Sequence, residues 1–332
     1  MIHKYIICLL MTSLISAMTI RPSMDMGGLY DTGTLQYWGK RYSKSTNSIL
    51  KILIDGLPAE EYRRLASMKL EFPLTNPELI NFYAKVSTSV IVLPISSLKF
   101  LDDLCIAYSW LVINDYQLEP IEEYIAMLKY KRASDFQNGK YPPPLQALGI
   151  PANALNDRRV DDLSMRLFNS ARALILAHEL GHVYYQHRTR SISNEESADL
   201  FALEILRSNS TIPMGAIIFF QATAIWFPNR ADFPNDKEWS IFLREKATHP
   251  LNSRRLRTLA AKLSLMDKDF AGNEQDPLAG AETIRFIGSN VLSIAEYLED
   301  TDIQRCLAEY AVTTDPATLA PRSRHVQAKL DC

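Results

Sequence analysis

The sequence predicts an α+β fold that is predominantly helical. Two observations carry this. Apolar residues recur at helical spacing through most of the chain, and a single short stretch, residues 80–95, is instead rich in β-branched and aromatic types. A third observation fixes where the chemistry sits: the strongest helical pattern, residues 160–187, carries His178-Glu179-Leu180-Gly181-His182 in its second half.

The elements follow in order. Lys4 precedes an uncharged apolar stretch to Ile20, with the small residues Ser16 and Ala17 near its end. That layout predicts a signal peptide or N-terminal anchor over residues 1–20. It implies export to a periplasmic or secreted location, with membrane proximity through the N-terminus left open and a cytoplasmic or membrane-associated location as the alternative. Residues 21–45 are mixed and expected to be irregular. Residues 48–70 read as two short helices interrupted by Pro58. Phe82, Tyr83, Val86 and Val90-Ile91-Val92-Leu93 predict one or two strands ending near Pro94. Helical spacing resumes from Ser96 to Tyr130. Pro142-Pro143-Pro144, Gly149 and Pro151 mark residues 131–160 as a linker or a loop over the active site. Beyond the 160–187 helix, further helices are expected at 194–208 (capped by Ser193 or Asn194), 215–226 and 238–266. The tail has a helical core from Ile284 to Leu307. The expected organisation is therefore a domain over 21–270, with its catalytic core at about 160–262, and a helical C-terminal extension over 271–332.

Bulk properties exclude some functions. A net charge of −2 on 332 residues gives no general attraction to nucleic acid or anionic membranes. The local basic run Arg254, Arg255, Arg257 and Lys262 reads by default as a solvated helix face. Of the cysteines Cys8, Cys105, Cys306 and Cys332, a Cys306–Cys332 bridge would pin the tail of an exported chain.

His178 and His182 are four residues apart, which places both imidazoles on one helix face within reach of one ion. Glu179 lies about 100° round the helix, where a general base can take a proton from a water activated by the metal. A catalytic zinc site needs a third protein ligand. A histidine ten residues after His178 would serve, but that position is Arg188, and His187 is one residue off and reads as a structural or surface histidine. The other source is Glu195-Glu196-Ser197-Ala198-Asp199. Glu195 ranks first as ligand and Glu196 second. Asp199, one turn after Glu195, is placed to hold a ligating imidazole through its other N–H. Ala198 is small enough to let two helices approach closely.

These residues, followed by Thr248-His249-Pro250 and Arg255, resemble the gluzincin metallopeptidases of the HtpX and CAAX-prenyl endopeptidase family. The resemblance covers residues 174–257 and includes soluble periplasmic members. Val90-Ile91-Val92-Leu93 through Trp110 is more loosely similar to Lit-like phage-exclusion peptidases. The resemblance implies a zincin-like core and a Zn2+-dependent endopeptidase acting on protein or peptide substrates. It further implies that His249 leans over the cleft to stabilise the oxyanion, and that Arg255 supports it or binds the substrate carbonyl. Two rival expectations are a zinc-retaining chaperone or binding protein, and an intracellular Lit-like peptidase acting as a toxin or in phage exclusion.

Overall fold

The computed structural model describes residues 28–189, 191–245, 251–271 and 277–325. The chain begins with two helices, α1 (Thr32–Asp55) and α2 (Ala59–Leu65), followed by strands β1 (Lys69–Glu71), β2 (Tyr83–Lys85) and β3 (Val90–Val92). Helices α3 (Ile95–Ile113), α4 (Glu119–Tyr130), the single turn α5 (Pro144–Ala147), α6 (Arg158–Tyr184), α7 (Ile192–Ser208) and α8 (Ala216–Trp226) come next. Then follow α9 (Asp236–Glu245), α10 (Ser253–Leu265), α11 (Asp267–Ala271), α12 (Pro277–Glu299) and α13 (Thr301–Thr313). The predominantly helical α+β architecture is the one expected. Among the described residues, no helix is long and apolar enough to cross a membrane.

Helix α6 is the centre of the molecule. Asp157 caps its N-terminus by accepting from the Arg159 N–H. From Leu167 to Val183 nearly every side chain is buried, because α1, α3, α7, α8 and β2 surround it. A helix apolar on most sides belongs in a core, and this one is wrapped. Its one buried cation, Arg172, donates to Ser45 Oγ at 2.6 Å and Thr46 Oγ1 at 2.9 Å on α1.

The sheet is small, in the order β1-β3-β2. β3 is central and fully buried, parallel to β1 (Lys69 opposite Val90) and antiparallel to β2 (Tyr83 opposite Val92). Ser89 turns the chain into β3 with φ of 53°. β2 lies beside α6, so the sheet's edge borders the helix that carries the histidines.

Several boundaries differ from the sequence reading. Residues 32–45, expected to be irregular, are the first half of α1. Asp31 caps that helix by accepting from Thr34 N, and Gly39 lies against Ile95 where a Cβ would stand 3.4 Å from its side chain. Tertiary packing thus overrides the weak local propensity of a glycine-bearing segment. Leu70, read as helical, is in β1, a strand of three residues and too short to show a period. The 96–130 helix breaks at Asn114 and Asp115, the latter at φ 59°. The cap of α7 is Ser191, which accepts from Asn194 N, rather than Ser193 or Asn194. The 238–266 stretch divides into α9 and α10, with Asn252 capping the second by accepting from Arg255 N.

The tail folds back onto the body. α12 packs along α10 and against α8, and α13 packs on α4. Arg322 forms a fork on the buried Glu123 at 2.5 and 2.8 Å, and Tyr310 donates to the same carboxylate at 2.9 Å. Cys306 is disulfide-bonded, and Cys332, its expected partner, lies outside the described residues. Cys105 is a free buried thiol. Residues 1–20 also lie outside the described residues.

Gly215 sets how closely the start of α8 meets α6. Its N–H donates to Ser170 Oγ at 2.8 Å, and a Cβ there would stand 2.2 Å from Leu167 O and 2.5 Å from Ala171 N. These are backbone atoms that cannot swing away. Gly215→Ala is expected to lower unfolding free energy by about 2 kcal/mol or more, the range for overpacking, read from the denaturant midpoint.

Candidate metal centre

The four polar side chains that meet at this site come from two helices that nearly touch. A Cβ on Gly181 would lie 2.9 Å from Ala198 Cα and 3.2 Å from Ala198 O. The pairing of Gly181 with Ala198 lets α6 and α7 pack backbone to backbone. That closeness brings Glu195 and Asp199 against His178, one turn before Gly181, and His182, directly after it.

The Nε2 atoms of His178 and His182 lie 3.0 Å apart. Glu195 places Oε2 3.4 Å from His178 Nε2 and Oε1 3.4 Å from His182 Nε2. One donor atom from each of the three residues falls within 4.8 Å of the others. In a tetrahedral site with metal–ligand bonds of about 2.0–2.1 Å, neighbouring ligand atoms stand about 3.3–3.4 Å apart. The donor set and its spacings therefore fit a zinc-sized cation. Charge agrees: the three carboxyl groups of Glu179, Glu195 and Asp199 outnumber the single guanidinium of Arg255 at this spot. Glu195 and His182 are buried and His178 is nearly so.

Each imidazole is held from behind. His178 Nδ1–H donates to Asp199 Oδ1 at 2.8 Å. His182 Nδ1 meets His187 Nδ1 at 2.9 Å, and His187 Nε2 lies 3.3 Å from Ser197 Oγ. In the tautomer that leaves His182 Nε2 open toward His178 and Glu195, Nδ1–H of His182 donates to His187, whose Nε2–H donates onward to Ser197. Such outer partners fix the tautomer and ring orientation of a ligating histidine. His187, read from the sequence as structural or surface, thus occupies for His182 the place that Asp199 occupies for His178. A histidine five residues after the second histidine, in the turn that ends α6, was the available signal.

Arg255 lies behind the carboxylates. It is buried, and its Nε and Nη2 donate to the two oxygens of Asp199 at 2.9 and 3.0 Å while Nη1 reaches Glu195 Oε2 at 3.1 Å. These donors hold the two acids, and Arg255 also lines the cleft. Burial alone would raise the Asp199 carboxyl, but Arg255 and His178 hold it below its usual value. Burial pulls His178 down, yet Asp199 and Glu195 overcome this and push it up to about 10. The acidic pair attracts positive charge to this spot. Glu196, the rival ligand, turns the other way to pair with Arg254 at 2.8 Å. His249 lies outside the described residues.

Glu179 is buried at the edge of a cleft also lined by His178, Asp199 and Arg255. The opposite wall comes from α8, and residues 80–82, just before β2, close the side.

Residues 113–274 match the family model of Peptidase U49. This is the Lit-like peptidase family, the looser of the two likenesses seen in the sequence, and nothing supports the HtpX and CAAX-prenyl endopeptidase type. The matched stretch contains every residue of the metal centre, and it supports a peptidase. No curated protein and no solved structure matches the chain.

His187→Ala is expected to weaken zinc binding about 10–100-fold, the usual loss on removing an outer partner, with unchanged far-ultraviolet circular dichroism. Titration against a chromophoric zinc chelator reads the affinity. A wild-type affinity in this variant would reduce His187 to a packing residue.

Proposed function

We propose that the chain is a zinc-dependent endopeptidase, with His178, His182 and Glu195 as ligands and Glu179 as general base. The observation that carries this is the convergence of two imidazole Nε2 atoms and both Glu195 oxygens at 3.0–3.4 Å beside a carboxylate that opens on a cleft. When bound, zinc supplies a Lewis acid for the scissile carbonyl and lowers the pKa of a coordinated water to about 7. The protein's residues do the rest. Glu179, one residue after His178, is placed to take the proton of the attacking water and pass it to the leaving amine. Asp199 and His187 orient the two imidazoles, and Arg255 keeps Asp199 ionised and holds Glu195 in place. β2 is paired only to β3 among the described strands, so its other side is a sheet edge on which an extended substrate can be aligned. His249, implied by the resemblance, remains the candidate donor to the oxyanion.

On location, the signal-like residues 1–20 and the disulfide at Cys306 support an oxidising, exported setting. The Peptidase U49 match favours a second reading, a Lit-like peptidase that stays in the cell. N-terminal sequencing of the mature protein separates them, since a retained Met1 argues against cleavage of a signal peptide.

Glu179→Gln is expected to keep one zinc ion per chain and to lower peptide hydrolysis by about 10²–10⁴-fold, the size of a general-base effect. Metal analysis and a quenched-peptide assay read the two separately. Hydrolysis at the wild-type rate in a metal-loaded Glu179→Gln protein would sink this mechanism.

A further inference from the structure

The cleft continues past the metal centre along α6, toward its N-terminus, and its chemistry changes there. Leu174 lies one turn before His178, and Ile175 one turn before Glu179. Side chains four apart stack on one helix face, so Leu174 and Ile175 floor the cleft about 6 Å along the axis from His178 and Glu179. Phe82 and Phe219 pack ring against ring, their centroids 6.3 Å apart, and with Phe220 and Phe227 they make the aromatic part of the lining.

Two polar residues interrupt this lining away from the metal centre, Asn81 and Thr223. The Thr223 hydroxyl donates into its own helix, to Phe219 O at 2.9 Å and Phe220 O at 3.0 Å, so it is engaged within α8. The charged side chains of the lining belong to the metal centre, where Arg255 and Asp199 are paired with each other. A substrate ammonium or carboxylate pushed into this space would lose its water with no counter-charge to meet it. The aromatic wall is also held in place: α8 is locked to α6 at Gly215 and tied to α4 by the hydrogen bond from Gln221 to Glu122.

We infer that this apolar end of the cleft is a specificity pocket, and that the enzyme cuts beside a large apolar side chain such as Leu, Met or Phe. The inference rests on the peptidase reading for its meaning but on the lining of the cleft for its content. In an extended peptide neighbouring residues are about 3.3 Å apart along the chain. A side chain one helical turn from the base therefore belongs to a residue flanking the scissile bond.

Two measurements on the zinc-loaded full chain test it. In the first, a mixed peptide library is digested and the cut sites are sequenced. Large apolar residues should be enriched at one position flanking the cut, by roughly 10–100-fold over Asp, Lys or Gly. Cutting without that enrichment overturns the pocket and leaves the peptidase reading standing. The second needs no turnover: the hydroxamates of leucine, phenylalanine, aspartate and lysine are compared as ligands by thermal shift. The two apolar hydroxamates should bind at least about tenfold more tightly, and Phe219→Ala, at a half-buried position, should erode that preference. Equal, reversed or undetectable binding overturns the pocket. An apolar preference in binding with no cutting of any peptide retains the pocket and removes the peptidase reading.

Discussion

Helices α6 and α7 meet at Gly181 and Ala198 with no room for one more carbon atom, and the candidate metal site follows from that contact. Two imidazoles on one helix make half a site. The other half must come from a second backbone at a fixed height and rotation. Gly181 lies between the two histidines, directly before His182, so the closest point of approach falls within the ligand pair. Glu195 and Asp199 flank Ala198 on the opposite helix, one a turn before the other. Sequence spacing on each helix and the crossing point between them determine the constellation together.

That closeness has an electrostatic cost, since it presses two carboxylates into a buried space. Arg255 offsets it. The guanidinium binds Asp199 with two donors and Glu195 with a third, a planar fork that lysine could not reproduce. The residues stack in layers outward from the candidate metal site: His178, His182 and Glu195, then Asp199, His187 and Arg255 that touch them, then Ser197 behind His187. Removing an outer member leaves a buried charge or donor without its partner, so the layers are coupled rather than additive.

Much of this was legible in the sequence, and for stated reasons. The helical period of 160–187 is long, so α6 was readable within a few residues, and the spacing of His178, His182, Glu195 and Asp199 obeys helix geometry. The structure brings them together as that geometry implies. What was not legible depended on contacts remote in sequence. Residues 32–45 became helix because α3 and α6 pack on them. β1 exists because β3 supplies its hydrogen bonds. Arg255 looked like one of a run of surface cations, and only the crossing of α10 beside α7 buries it. His187 looked one position out of register because α6 ends at Tyr184, and the turn that follows carries the ring back toward His182.

The fork between Arg322 and Glu123 joins residues 199 positions apart. Lys131 adds a bond to Val312 O, and Gln117 N donates to Arg322 O at 2.7 Å. The Peptidase U49 match ends at residue 274, well before this clasp. A chain shortened to the matched region would therefore strip the counter-charge from a fully buried glutamate on α4, the helix whose neighbour α8 forms the wall of the cleft. The minimal stretch that carries the chemistry is thus shorter than the minimal stretch that holds its shape, and the far end of the polypeptide acts as a keystone for a cavity it never touches.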